Sequence, residues 1–598
     1  MAERKVQAIK DELEEGRSEM NRKLPISRGA FSRRDFLRGS SAGLAAAMAS
    51  RYGLSVAQDA SGIPQELIPG SPGHPRGWTT TLPPIPEGMP ASPPVTISGS
   101  RRAPWEFAEG DDIENSPFTR LTSAALGINW KLAFSWVDAD EGLQKYNLAI
   151  ASGELPDFME TVPLQVYSDL LDNDLLEDIT DVYEEVASQE WIKDPLSFGG
   201  GVAWRLAEVN GRKMGFPYIE QAAQNDKVMW LREDWLEAVG MGAPTTIDDL
   251  HAVASAFKAA DLGQGAEGTT LGLVACNTLD AWYGSLDPVF GAWGVMPGSW
   301  TPDANGDLEY NSIRPEIKEV LSLLRGWYEE GLFAQDFFTL RPGQTAFAHV
   351  GANVVGLHFS PAFAAVFGLP DSVANDPDAR WTFADIPAGP TGIKKKSWSN
   401  PVPNTVYCFR KGFEHVDLVL KQIGWWAELF QNPANRYHGW EGTDYFWVGD
   451  DLDLNGYDSS KHFFGPPGTN GGSRTDPFFE ANSIKYRQAE WPNTPEDQRD
   501  AIMDAFLGKD ELSQLWDRAN VFAIDRWDYD GIRNEFTTLP TETMKRAGTS
   551  LDDLEQETLF NIIIGQEPLD RFDSFVEEWR SGGGDRITGE VNEWYHGS

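Results

Sequence analysis

Glu141-Gly-Leu-Gln-Lys-Tyr-Asn-Leu-Ala-Ile-Ala-Ser-Gly-Glu-Leu-Pro-Asp-Phe-Met159 is the stretch on which the fold turns. Leu143, Tyr146, Leu148, Ala149 and Ile150 are spaced to bury one helical face. Ser152-Gly153 then ends the helix, because glycine takes the left-handed conformation that a helix stop requires. Pro156 pushes Leu155 out of helical backbone, and Phe158-Met159 opens a short apolar run. A helix, a tight glycine turn and a buried strand make a βαβ-type unit. Open α/β sheets bind ligands beyond the carboxyl ends of their strands.

Outward from this unit the chain is large and acidic. It has 598 residues, 41% apolar and 12% aromatic, which suffices for several domains or one two-lobed body. Its formal net charge is −41, which argues against nucleic acid and anionic membrane surfaces as partners. The 23 tryptophans exceed ordinary needs of packing, and indole is a good flat platform for sugar rings. Cys276 and Cys408 stand far apart in apolar surroundings and in no C-x-x-C pair, which points to buried free thiols, the alternative being a disulfide between them.

The amino-terminal part reads differently from the rest. Met1 to Asn21 is charged and helix-forming. Ser32-Arg-Arg-Asp-Phe-Leu-Arg38 is followed by small, weakly apolar residues from Gly39 to Ser50, too short and too rich in Ala and Gly for a membrane anchor. Ser55-Val-Ala57 offers a small-x-small cleavage site before Gln58. Residues 58–104, dense in Pro and Gly, are expected to be an extended linker without a core.

From Trp105 onward a globular pattern is expected. Asn129–Trp136 and Asn404–Phe409 read as strands, and Tyr167–Asp181 as a helix. Asn210-Gly211 turns a hairpin that ends at Pro217. Thr246-x-x-Asp249 caps a helix. Pro315 starts another that Gly331 ends, and Val416–Phe430 is amphipathic. Val289-Phe290-Gly291 reads as a strand end.

No catalytic signature emerges. There is no Gly-x-Ser-x-Gly elbow, no phosphate-cradling loop and no His pair at zinc spacing. Asp261–Thr270 has the outline of a calcium loop, but only Asp261 and Glu267 bring carboxylates, whereas calcium takes six to eight oxygens. Asp303-Ala-Asn-Gly-Asp307 is ordinary hairpin chemistry, and the acidic run from Asp450 to Asn455 reads as a solvated loop. No metal or cofactor is expected.

Three sets of motifs resemble a known family. Lys145, Asn147, Ala151-Ser152-Gly153-Glu154, Pro156 and Asp157 are similar to a pattern in the extracellular solute-binding proteins of sugar ABC importers. Trp230, Arg232, Asp234-Trp235-Leu236 and Gly240, followed by Pro244-Thr-Thr-Ile-Asp-Asp-Leu250, resemble family 1 of those proteins. Pro540–Met544, Asn561–Gly565, Phe572–Trp579 and Glu590–Tyr595 resemble its lipoprotein-type oligosaccharide-binding branch. Ser32–Arg38 resembles a twin-arginine export signal, with Arg51 as a departure in the segment after it.

The resemblance implies an α/β, two-lobed periplasmic-binding-protein fold (type II), with discontinuous lobes joined by a hinge. The expected layout is a signal peptide at 1–57, the linker at 58–104, an amino-terminal lobe from 105–225 plus 405–515, and a carboxyl-terminal lobe from 226–404 plus 516–598. Hinges are expected near 219–229, 404–410 and 510–525. The implied function is binding of a carbohydrate, most naturally an oligosaccharide, for an ABC permease, after export by the Tat machinery to the periplasm or cell exterior. The chain would be a monomer and not an enzyme. The alternatives are a secreted carbohydrate-active enzyme, which a carboxylate of raised pKa in the cleft would favour, and an exported redox protein.

Sugar sites combine aromatic faces with side chains that hydrogen-bond to hydroxyls. By the resemblance, the candidate substrate-binding residues are Trp136, Asp157, Tyr218, Glu220, Trp293, Trp300, His358, Phe359, Trp398, Asn400, Trp440 and Tyr445. For each of them, burial against its own lobe is the plain alternative.

Overall fold

The computed structural model describes residues 63–70, 73–74, 80–102, 110–136, 139–193, 196, 204–217, 226–266, 268–341, 344–362, 367–398, 405–431, 446–448, 451–453, 512, 515, 518–519, 522–523, 526 and 531–597. The chain forms two units, Met1–Gln65 and Glu66–Ser598, and the architecture below is that of the second. The expected signal segment lies outside the described residues.

The strands that organise it are β1 (Val95–Arg102), β2 (Ile128–Trp136), β3 (Phe158–Pro163), β4 (Phe216–Pro217), β5 (Lys227–Arg232), β6 (Leu357–Pro361), β7 (Trp381–Ala384), β8 (Lys396–Ser397), β9 (Thr405–Phe409) and β10 (Gly531–Ile532). The main helices are α1 (Ala139–Ser152), α2 (Ile247–Ala260), α3 (Asp287–Gly291), α4 (Pro315–Glu329), α5 (Gln344–Gly351), α6 (Val416–Gln431), α7 (Glu542–Ile563), α8 (Arg571–Trp579) and α9 (Asp585–Gly597).

The β2–α1–β3 unit forms as its sequence dictates. Gly153 sits at φ 73°, in the left-handed region, and β3 begins at Phe158. Tyr146 and Ala149 are buried, but Leu148 is 69% exposed. Two residues after Tyr146 on a helix of 3.6 residues per turn, Leu148 points about 200° away from it. The helix expected over 167–181 is instead two, Leu164–Asp172 and Thr180–Val186, because Asp174 takes a positive φ between them. Val289–Gly291 lies in α3 rather than at a strand end; Pro288 at its first turn favours helix.

The linker expectation needs a larger correction. Val95–Arg102 lies inside the first sheet, whose order is β2-β1-β3-β9-β4, with Ile97 fully buried. Pro93-Pro94 ends the extended stretch, and the alternation after it supplies a strand. The Ala91 backbone then lies so close to Gly127 that a Cβ there would stand 2.5 Å from the Ala91 oxygen.

β1 runs parallel to β2 and β3, while β9 is antiparallel to both β3 and β4. One sheet face is covered by α6: Trp130 Nε1 donates to Gln422 at 2.8 Å, and Trp426 stacks near Phe118. The other face packs Met159 and Val162 against Tyr146, Tyr167 and Leu170. A second sheet, order β6-β5-β7, is antiparallel throughout. Its largest core gathers α2, α4, α7 and α8 around Leu231, Phe257, Leu324 and Trp579.

The family-like motifs do structural work here. Arg232, fully buried, forks onto Asp234 at 2.8 and 2.7 Å and reaches Asn353 and Asp376. Thr246 and Asp249 form the expected capping box.

Leu515, Ala519 and Ala523, expected near a hinge, pack into a core with Trp230 and Tyr283. Apolar side chains four apart on this segment share one helical stripe, which buries best against that core.

Candidate functional site

Strand register locates the site. In the first sheet Arg102 pairs with Trp136, so β1 and β2 end together; β3, parallel to β1, runs toward the same edge. Thr405 pairs with Pro163 and Val406 with Pro217. The chain therefore leaves β4 and enters β9 at the carboxyl ends of β1–β3. In the second sheet Pro361 pairs with Lys227, so β6 ends where β5 begins, and β7 runs the same way as β6. The passage from Pro217 to Lys227 thus joins the strand-end edges, and the one that enters at Thr405 starts from Ser397 of β8, which pairs with β10 and whose Lys396 reaches the Lys227 carbonyl. Strand-end edges of this kind are where open α/β sheets bind ligands.

On the first edge lies a buried polar cluster. Arg101 Nε is 3.4 Å from Glu160 Oε2, with both side chains almost wholly enclosed. Tyr146 Oη donates to the Glu160 carbonyl at 2.6 Å and meets Ser100 Oγ at 3.0 Å. Thr161 beside it has φ 44°, a rare conformation for a β-branched residue. Such strain tends to collect at functional sites.

At the second edge, buried charges tie together the strands that flank the passages. Lys396 Nζ pairs with Asp226 at 2.7 Å and donates to the Lys227 carbonyl at 2.9 Å. Lys227 Nζ pairs with Asp280 at 2.7 Å and lies 3.7 Å from Asp287. The Ser397 N–H donates to Asp287 Oδ2 at 2.8 Å. Burial pushes the Asp287 carboxyl up to about 6, against the pull of Lys227. Burial acts against the Lys227 ammonium too, but Asp280 and Asp287 outweigh it and hold the charge.

The structure separates the sequence candidates. Trp398 stands where the second passage begins: its N–H donates to the Ile532 carbonyl, Gly531 lies against its indole, and Arg533 lies 4.5 Å over the ring. A Cβ on Gly531 would be 2.5 Å from Trp398 Cδ1, so the close approach needs glycine. Trp136 ends β2 at the edge, but its ring turns inward onto Gly142 and Tyr146. Asp157 stands before the amino end of β3, at the opposite edge. At about 3.3 Å per residue it is roughly 20 Å from the strand end. There it accepts from Ser98 N and Oγ and pairs with Arg410 at 2.7 Å, which joins β1 to β9.

His358 and Phe359 are fully buried on β6. His358 is stacked with Tyr283 at 4.8 Å, and burial holds its pKa down to about 3, so the ring is neutral. Trp300 packs against Tyr310 and Trp579 in the core. Trp293 donates to Glu319 of α4 at 2.9 Å. Tyr218, Glu220, Asn400, Trp440 and Tyr445 lie outside the described residues.

Sequence reading missed Arg101 and Glu160, since their strand was taken for linker or was not read for charge. It did not single out Trp282 either, which is 37% exposed. An acidic groove of about 1040 Å³ between Asn210-Gly211 and the helices α7 and α9 is lined by Glu542, Glu590 and Trp594; no strand end contributes to it.

The would-be calcium loop is closed by its own hydrogen bonds. Asp261 accepts from the Gly268 N–H and from Thr270 Oγ1, both at 2.7 Å. Among the described residues no three His, Cys, Asp or Glu side chains gather as metal ligands. Cys276 and Cys408 are buried free thiols.

Two sheets that the chain crosses between make a two-lobed α/β fold, shared with solved solute-binding proteins. Among solved structures, the chain aligns with the *Streptococcus pneumoniae* ABC-transporter substrate-binding protein FusA in complex with kestose, at TM-score 0.61 and 14% identity, over 84% of this chain and 99% of that one. A human-milk-oligosaccharide (HMO)-binding, ABC-transporter-associated solute-binding protein from *Bifidobacterium longum infantis* aligns at TM-score 0.59 and 15% identity, over 85% and 99%. In sequence, the chain is 23% identical over 475 residues to the polygalacturonan/rhamnogalacturonan-binding protein YtcQ of *Bacillus subtilis* (strain 168), covering 78% of this chain and 85% of that protein. No family model matches the sequence.

Proposed function

We propose that the chain is the extracytoplasmic solute-binding component of an ABC importer, which closes its lobes around a carbohydrate, most naturally an oligosaccharide, and presents it to a permease. The observation that carries this is the register: three strands of one sheet and two of the other end at the edges where the chain leaves one sheet and enters the other. Hinge closure around a solute is the motion such an architecture serves. Its fold relatives include FusA with kestose bound, and YtcQ is named for binding polygalacturonan and rhamnogalacturonan.

In this reading the lobes are 105–225 plus 405–515 and 226–404 plus 516–598, except that β1 joins the first and Leu515, packed with Trp230 and Tyr283, joins the second. Arg101 and Glu160 address sugar hydroxyls, Trp398 stands at the hinge side, and Tyr218, Glu220 and Asn400 fall on the passages. Trp440 and Tyr445 complete the proposed aromatic set. Residues 1–57 would route the folded protein through the Tat machinery, and the mature chain would work as a monomer outside the cytoplasm.

Turnover finds little support. The carboxyl with a raised pKa beside the edge, Asp287, is fully enclosed and bound to Ser397, so a scissile bond has no access to it. The test is a thermal-shift screen of the chain from Gln58 onward against mono- and oligosaccharides. A sugar at 100 times its dissociation constant should add about 2.7 kcal/mol of stability. The reading requires a clear rise for one sugar class, with the sugar recovered unchanged. Cleaved sugar would replace it with the enzyme alternative.

A further inference from the structure

We infer that residues 533–545 form a strap between the lobes, with Leu539 as its pivot and Lys545 as a latch that opens and closes as the lobes move. This rests on the two-lobed, closing reading above and names the contacts that govern the movement.

The strap sets out from the second lobe, just after β10, which pairs with β8. Asn534 Oδ1 accepts from the Trp300 N–H at 3.0 Å, and the Glu535 N–H donates to the Trp300 carbonyl at 2.9 Å. Phe536 packs against the second-lobe core and meets Trp594 of α9 edge-on at 5.2 Å. Leu539, three residues on, packs instead against the first-lobe core that holds Tyr167, Leu206 and Val406. Extended backbone covers about 3.3 Å per residue, so two side chains about 10 Å apart belong to two different cores. Between them Arg205 Nη1, from the first-lobe helix Trp204–Ala207, donates to Thr537 Oγ1 at 3.3 Å. Thr541 then caps α7, which returns to the second-lobe core. Pulling Leu539 out of its core would expose apolar surface to water. It therefore stays seated, and the lobes turn about it.

Lys545 is placed to do the opposite. Its ammonium pairs with Asp172 of the first lobe at 2.9 Å and with Glu542 of its own helix at 3.5 Å. The Asp172 side chain is 62% exposed, so this pair parts into water without stranding a buried charge, and Glu542 remains beside the ammonium. The enclosed pair of Lys396 with Asp226 has no such freedom. Room for movement lies alongside the latch. The groove of about 1040 Å³ separates Asn210-Gly211 of the first lobe from α7 and α9 of the second, and Glu542 lines it. A seated apolar anchor, a breakable ion pair and open space next to it are the parts of a latch on a hinge.

Cys276 and Cys408 are buried, so dyes can be directed to Leu148→Cys in the first lobe and Phe338→Cys in the second, both at exposed positions. Single-molecule energy transfer in the full chain then reads the distance between the lobes, with and without a panel of neutral oligosaccharides. Calorimetry on the unlabelled variants gives saccharide affinity.

Lys545→Ala and Asp172→Asn should each shift the sugar-free distance distribution and change saccharide affinity by up to about fivefold, the range of an exposed ion pair. Lys545→Arg should behave as the wild type. Leu539→Ala should shift the distribution further. A wild-type distribution in both Lys545→Ala and Asp172→Asn overturns the latch, and one in Leu539→Ala overturns the pivot, whatever the sugars do. If no saccharide binds the wild type, the carbohydrate reading fails, and the strap stands or falls on the sugar-free distances alone. The two surface variants keep the latch open to refutation even if Leu539→Ala does not fold.

Discussion

The two strand-end edges are built from different materials. On the first, the strand ends carry a buried polar cluster: Arg101 with Glu160, and Ser100 with Tyr146. On the second, ion pairs lock Lys396 to Asp226 and Lys227 to Asp280. The first edge is braced within its own sheet, between β1, β3 and α1. The second ties together segments far apart in the chain, at the residues that flank its passages between the sheets. The difference teaches that the two edges are held by different means, one by a sheet and the other by buried charge.

The sharpest way to break this comparison is to cut the base of the second edge. Lys396→Met leaves Asp226 buried without its cation and should cost about 3–5 kcal/mol of stability. Denaturant melts would measure it, and adding Asp226→Asn should restore part of the loss. A loss under 1 kcal/mol would mean the network is not the anchor described here.

Next comes a buried carboxyl in the same lobe that is held neutral. Glu555 of α7 accepts from Tyr310 Oη at 2.8 Å and Ser312 Oγ at 2.7 Å, and burial raises its pKa to about 7. In the unfolded chain it ionises near the ordinary glutamate value. Between those values the folded state holds the extra proton, so stability falls as pH rises and the loss is complete above about pH 7. A shift of this size amounts to about 3 kcal/mol. Glu555→Gln should flatten that part of the pH profile in thermal melts; an unchanged slope would assign it to other groups.

A smaller effect tests the polar edge. Arg101→Lys keeps the charge but removes the planar fork. It should weaken saccharide binding by about tenfold, or about 1.4 kcal/mol, by calorimetry. Unchanged affinity would move hydroxyl recognition away from this pair. The smallest is Tyr146→Phe, which removes the donor to the Glu160 carbonyl and should cost about 1 kcal/mol in a denaturant melt.

Local chemistry made much of the fold readable. Gly153, Asn210-Gly211 and the Thr246–Asp249 capping box set a helix end, a hairpin turn and a helix start through backbone preferences and short-range hydrogen bonds. The candidate site was less readable. Asp157 lies in a motif shared with sugar-binding proteins, yet it sits at the far end of its strand and binds Arg410. Arg232, in another such motif, is buried as a structural clamp. A motif can mark a fold as strongly as a ligand.

The sequence by itself determined the βαβ unit, the α/β class and the absence of familiar catalytic motifs, because these follow from periodicity, glycine and proline positions and local caps. Only the tertiary structure decided that Val95–Arg102 belongs in the first sheet, since a strand is completed by partners distant in the chain. It alone decided which tryptophans turn inward. Trp136 and Trp282 are the same residue type, and the first is enclosed by Tyr146 and Gly142 while the second is 37% exposed. Side-chain direction is set by what packs on the other side, and a sequence read along its length does not contain that neighbour.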